Sequence, residues 1–229
     1  MYWYDSYYYY LILVLPAVII SIWAQFKVKS AFNNYSKVMS KRGKTAADCS
    51  RDILLAHGIT DVSVNKVGGN LSDHYDPRNN TVNLSDAVYS STSVAAIGVA
   101  AHECGHAIQH AESYFPVKLR TAMVPITNFG SSLSLPLIVI SLFSGLEALF
   151  VAGILLYSLS TFFQLVTLPV EFNASKRAIN ELRKSNTMSE EELNGVKKVL
   201  TAAALTYVAA LLVSLMSLLR LLLMSRNRR

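Results

Sequence analysis

The chain has 229 residues, a formal net charge of +6, and 52% hydrophobic against 16% charged residues. The apolar residues fall in blocks, the pattern of a membrane protein, and what lies between the blocks suffices for one small domain and not two. Basic residues cluster beside the apolar blocks instead of interleaving with aromatics across a folded face, which argues against nucleic acid as a partner. Two cysteines, Cys49 and Cys104, make no disulfide framework.

Residues 7–26 read as a transmembrane anchor, with Tyr7–Tyr10 and Trp23 suited to its interfaces. The start carries Asp5 and no basic residue, so an uncleaved anchor is expected here in place of a cleavable signal peptide. Lys27, Lys29, Lys37, Lys41, Arg42 and Lys44 follow before any acid, so residues 27–125 are expected in the cytoplasm. In that segment Thr45–His57 reads as a helix, with Thr45 and Asp48 as a capping box and Gly58 after its end. Val62–Val67, Leu71–Tyr75 and Thr81–Leu84 read as strands. Gly68-Gly69-Asn70 and Asp76-Pro77-Arg78-Asn79-Asn80 supply the turns. Ser93 opens a helix that runs to Glu112.

Residues 126–168 form two apolar runs around Ser144-Gly145-Leu146-Glu147, a transmembrane hairpin with a short external turn. Residues 169–198 are again basic and expected in the cytoplasm. Residues 199–224 form a C-terminal transmembrane or membrane-associated helix. Its direction conflicts with Arg220 and with the tail Arg226-Asn227-Arg228-Arg229, because a fourth crossing carries basic residues outward.

The chemistry concentrates in His102-Glu103-Cys104-Gly105-His106. Two histidines four apart on a helix leave the same face and can converge on one tetrahedral zinc ion. Glu103 is not needed as a ligand and is placed to act as general base on a water at the metal. Cys104 faces away and is expected to pack. His110 lies about 12 Å along the axis from His102, too far to share the ion, so it is expected to support the site or the fold. The apolar run Val94–Ala101 is far too short to be a span, which argues against the rival reading of a protease with its motif inside a membrane helix. Many zinc peptidases place an edge strand beside the metal helix. Thr81–Leu84 is the candidate here, either for holding substrate or as an ordinary edge strand.

A third ligand must come from elsewhere. Glu171 stands just after Leu168-Pro169-Val170, where Pro169 favours a helix start. It is either the third ligand or a first-turn carboxylate complementing the helix dipole, and the residues alone leave both open.

His102-Glu103-Cys104-Gly105-His106-Ala107-Ile108-Gln109-His110 and Leu168-Pro169-Val170-Glu171-Phe172-Asn173-Ala174-Ser175-Lys176-Arg177-Ala178 resemble the neutral zinc metallopeptidases of the YugP type. Asp73–Arg78, Asn128-Phe129-Gly130 and Ala203–Ala210 share the likeness, which runs from Phe26 to Leu222. The order of motifs is also similar to that of HtpX-like membrane peptidases, in which the later glutamate is the third zinc ligand. The resemblance therefore implies Glu171 as a ligand. Where that group usually has a supporting aspartate, this chain has Ser175, with Asn173 nearby; either could hydrogen-bond a ligating histidine.

The expected protein is an α-helical integral membrane protein with a small α+β zincin-like metallopeptidase domain. Zinc is held by His102, His106 and Glu171, and Glu103 is the base. The substrates are peptides or proteins, membrane proteins among them, cut at the cytoplasmic face of the cell membrane. His74, Tyr75, Arg78 and Tyr114 are candidates for stabilising the oxyanion. The rival class is a non-catalytic membrane scaffold or chaperone-like protein that keeps a structural metal site.

Overall fold

A computed structural model describes residues 7–69 and 71–226. Asp5, Asn70 of the first turn, and the tail residues Asn227, Arg228 and Arg229 lie outside the described residues. In chain order the elements are α1 (Leu15–Tyr35, preceded by a π-helical stretch Tyr10–Val14), α2 (Ala46–Ala56), β1 (Ser63–Val67), β2 (His74–Asp76), β3 (Thr81–Ser85), α3 (Asp86–Tyr89), α4 (Val94–Ala111), α5 (Phe115–Ser144), α6 (Glu147–Lys184) and α7 (Glu190–Arg226). They divide into two compact units. The first comprises the described residues of Met1–Gln25, Lys118–Pro169 and Leu205–Arg229; the second comprises those of Phe26–Val117 and Val170–Ala204.

The first unit is built from apolar helix. Among the described residues, four helices are long and apolar enough to cross a membrane: Tyr7–Tyr35, Phe115–Ser144, Glu147–Lys184 and Glu190–Arg226. Their outer surfaces carry exposed Ile19, Trp23, Phe143, Leu155, Phe162 and Leu215, a covering suited to lipid. Inside the unit, association rests on close approach and hydrogen bonds between helices. Ser134 Oγ donates to Gly153 O at 2.9 Å, and Thr161 and Ser214 share a 2.7 Å hydrogen bond. The Arg220 guanidinium lies 5.3 Å from the centre of the Tyr10 ring, a cation–π contact for the charge in the last apolar stretch.

Two expectations about these helices change. The first helix of the hairpin begins at Phe115, well before the apolar run at 126, and passes through Pro125 and Pro136. Pro169 does not start a helix: α6 runs through it, leaving Glu171 in mid-helix. A proline inside a helix costs one backbone hydrogen bond and some bending, which long apolar helices tolerate. Gly145 makes the turn between α5 and α6 at φ +73°, a conformation that disfavours any residue with a Cβ.

The second unit has one core. Helix α4 runs through its middle, with Ile97, Ala100, Ala101, Cys104 and Ile108 buried among Ile53, Leu54, Leu182 and Val196. Small residues on α4 let neighbouring elements approach closely. Caps define the helix starts, as the sequence indicates: Thr45 accepts from Asp48 N, and Ser93 accepts from Ala96 N. At the start of α7, Ser189 N donates to Glu192 Oε2 at 2.6 Å while Glu192 N donates to Ser189 Oγ at 3.3 Å. The other Glu192 oxygen accepts from Lys41 N at 2.7 Å and ties the segment after α1 to α7.

The sheet order is β1-β3-β2, with β1 parallel and β2 antiparallel to β3. Thr81–Leu84 is therefore part of the central strand and not an edge. The reason is burial: Val82 and Leu84 are fully enclosed, whereas β1 exposes Ser63, Asn65 and Lys66. The expected strand Leu71–Tyr75 shortens to His74–Asp76. Leu71 takes a left-handed conformation (φ +57°) in an exposed turn, and the Asp73 carboxylate pins the strand entrance by accepting from Ser85 N and Oγ.

Candidate metal centre

The capped start of α4 and its continuous helical run set His102 and His106 one turn apart on one face, with ring centroids 4.7 Å apart. Glu171, 3% exposed, comes to them from α6. Its Oε2 lies 3.3 Å from His102 Nε2 and 3.5 Å from His106 Nε2, and the three ligand atoms fall within 4.8 Å of one another. Zinc binds nitrogen and carboxylate oxygen at about 2.0–2.2 Å, so two ligands at a tetrahedral angle stand about 3.4 Å apart. The two distances to Glu171 bracket that value. Two imidazoles and one carboxylate are also the donor set of a catalytic zinc site with an open fourth position. The residues fit the ion.

The close approach of the two helices depends on Gly105. A Cβ there would lie 2.6 Å from Ala174 O and 3.1 Å from Ala174 C and Cα. Only a residue without a side chain lets α6 bring its carboxylate this near.

Both imidazoles are held from behind. Ser175 Oγ lies 3.2 Å from His102 Nδ1, the kind of support the sequence suggests for this position. Asn173 does not meet a histidine directly; it accepts from Gln109 Nε2 at 2.9 Å. Gln109 is fully buried, and its Oε1 lies 3.0 Å from His106 Nδ1. Sequence reasoning passes over Gln109, although it follows His106 by one helical turn, because an uncharged amide carries no titration or ligand signal. Burial opposes the His106 cation, but the Glu171 and Glu103 carboxylates and Gln109 outweigh it, so its pKa rises above the ordinary histidine value.

Glu103 is 9% exposed, and its Oε2 accepts from Tyr75 N of β2 at 2.9 Å. Oε1 has no protein partner among the described residues. A main-chain donor such as Tyr75 N leaves no trace in residue type, so the sequence does not announce it. The Tyr75 ring packs at 5.9 Å against exposed His110, which is not in the three-residue cluster. Cys104 faces the core, with its thiol near Ser50 O at 3.7 Å, and burial pushes its pKa up to about 12. Among the oxyanion candidates, His74 is engaged by Ser72 O and Asn83, and Tyr114 stacks with Arg177. Exposed Arg78 gives its backbone N–H to Asp76 in the turn.

A family model described as "Putative neutral zinc metallopeptidase" matches residues 10–226. A relative from Bacillus subtilis (strain 168), "Putative membrane protease YugP", is 49% identical over 220 residues, covering 96% of this chain and 98% of that protein. No solved structure matches significantly. The relative's name and the four apolar helices agree on a membrane protein.

Proposed function

The chain belongs to the neutral zinc metallopeptidase family, and from that premise we propose that it is a membrane-embedded endopeptidase using zinc held by His102, His106 and Glu171. The observation that carries the proposal is the convergence of these three side chains at separations that suit one tetrahedral ion. A HExxH helix beside a small mixed sheet also supports a zincin-like reading of the second unit.

Zinc, when bound, supplies Lewis-acid polarisation of the scissile carbonyl and acidifies a water molecule. Glu103 takes that water's proton at Oε1, the oxygen left without a protein partner. The 2.9 Å hydrogen bond from Tyr75 N to Oε2 holds the carboxylate in one orientation. Glu103 then passes the proton to the leaving amine. Its near-complete burial limits competing solvent. With β3 central, β2 is the strand edge beside this carboxylate and the candidate for pairing with an extended substrate.

The site belongs at the cytoplasmic membrane surface. Glu171 stands just beyond the apolar stretch 147–168, and the segments 27–125 and 169–198 carry the basic clusters that favour that side. Substrates are then cytoplasmic or juxtamembrane segments, or membrane proteins that have lost their fold. Proteolysis of an unfolded protein by the purified full-length chain should vanish on chelation and return with zinc. Glu103→Gln should bind zinc and lose about 10²–10⁴-fold in activity. A zinc-loaded wild type without proteolysis, or a Glu103→Gln variant near wild-type rate, contradicts this mechanism; the former favours the scaffold reading.

A further inference from the structure

We infer that Gln109 is the positioning residue of His106, the link in a hydrogen-bond network in which Arg177 and Gln109 both donate to Asn173 and His106 donates to Gln109, and which thereby sets which imidazole nitrogen can ligate. The inference rests on the zinc reading for its purpose and on the hydrogen-bond network for its direction.

One end of the network is a group that can only donate. Arg177 Nε points at Asn173 Oδ1 at 2.7 Å, and Arg177 Nη2 is anchored on Glu112 at 2.7 Å. A guanidinium has no acceptor, so the Asn173 atom facing it must be the amide oxygen. That same oxygen lies 2.9 Å from the Gln109 amide. The Gln109 group pointing there must therefore be its NH2. The backbone confirms the orientation independently: the same nitrogen is 2.8 Å from Val170 O, which can only accept. With the nitrogen turned towards α6, Gln109 presents its oxygen to His106 Nδ1 at 3.0 Å. An amide oxygen cannot donate, so Nδ1 carries the proton. His106 Nε2 is left with its lone pair towards Glu171 Oε2, 3.5 Å away, where the ion would sit.

This matters because a neutral imidazole in water favours the opposite tautomer, with the proton on Nε2. Without Gln109, zinc binding would have to work against that preference and against rotation of the ring. Gln109 is fully buried, so water cannot easily replace its amide. The two acceptors for its NH2 lie on α6, close to Glu171 in sequence. The same contacts that fix the tautomer thus fasten His106 to the helix that carries the carboxylate.

The test uses the full-length protein in detergent, labelled with ¹⁵N-histidine and kept alkaline enough for neutral imidazoles. Its readouts are the His106 tautomer, without metal and with zinc, and zinc affinity by chelator competition. In wild type, His106 should carry its proton on Nδ1 even without metal. Gln109→Met should yield a tautomer mixture and weaken zinc about 10–100-fold. Asn173→Asp keeps an acceptor for both Arg177 and Gln109 and should stay within about threefold of wild type, whereas Asn173→Leu should shift both readouts. The Asn173 pair decides the question if Gln109→Met fails to fold. An Nε2–H tautomer in the metal-free wild type, or an Asn173→Leu variant with unchanged tautomer and affinity, overturns the inference. A wild type with the Nδ1–H tautomer but no zinc affinity supports the hydrogen-bond network and rejects the zinc reading.

Discussion

Gly105→Ala separates local preference from tertiary requirement. On propensity alone the change should help, because alanine is favoured over glycine within a helix by about 1 kcal/mol. The neighbourhood reverses the sign. The new Cβ would lie 2.6 Å from Ala174 O, a backbone atom in mid-helix that cannot swing aside. A relaxed C···O contact is about 3.3 Å, so α4 and α6 must part by about 0.7 Å at this point. Glu171 is one turn before Ala174 and moves with it. Its 3.3 and 3.5 Å distances to the two imidazoles would open towards about 4 Å, whereas a zinc site tolerates about 0.2 Å in each bond. Zinc affinity should fall on the order of 100-fold, and the overpacked metal-free protein should lose about 1–3 kcal/mol of stability. Chelator competition and thermal unfolding of the metal-free protein measure the two effects. A variant that binds zinc within about threefold of wild type and melts no lower would refute the argument.

Metal analysis should give about one zinc per chain, with most of it lost in His106→Ala and Glu171→Ala and nearly all of it kept in His110→Ala; full zinc content in Glu171→Ala removes that residue from the ligand set. In a Cys49→Ala/Cys104→Ala background, single cysteines at Arg42 and Lys184 should resist an impermeant thiol reagent in intact cells while one at Ser144 reacts, and labelling of the first two from outside inverts the topology. Cys49 and Cys104, with pKa values raised by burial to about 11 and about 12, should not react in the native protein at pH 8, where the Cys104 thiolate fraction is about 10⁻⁴. Because an exposed thiol ionises near 9.0, the unfolded chain sheds these protons first. Stability should therefore fall as pH rises above about 9 towards the folded values, and titration of unfolding against pH would show no such decline if the thiols were exposed.

Local rules were enough for the features that repeat along the chain. Apolar blocks long enough to cross a membrane, the Thr45 and Ser93 caps, and the two histidines on one face of α4 each depend on spacing within a single element, and they are legible in the sequence. Family likeness added Glu171, which spacing alone left open. What the sequence could not supply depends on which elements meet. Thr81–Ser85 carries the same strand signal whether central or at an edge; only pairing on both sides and the burial of Val82 and Leu84 made it central. Pro169 signals a helix start only where no helix already runs into it, and here α6 does. The closeness of α4 to α6 at Gly105, the Tyr75 amide on Glu103 and the hold of Val170 O and Asn173 on the buried Gln109 amide all join residues far apart in the chain. Their partners are backbone atoms and neutral amides, which carry no charge pattern or periodicity to read, so packing alone decides them.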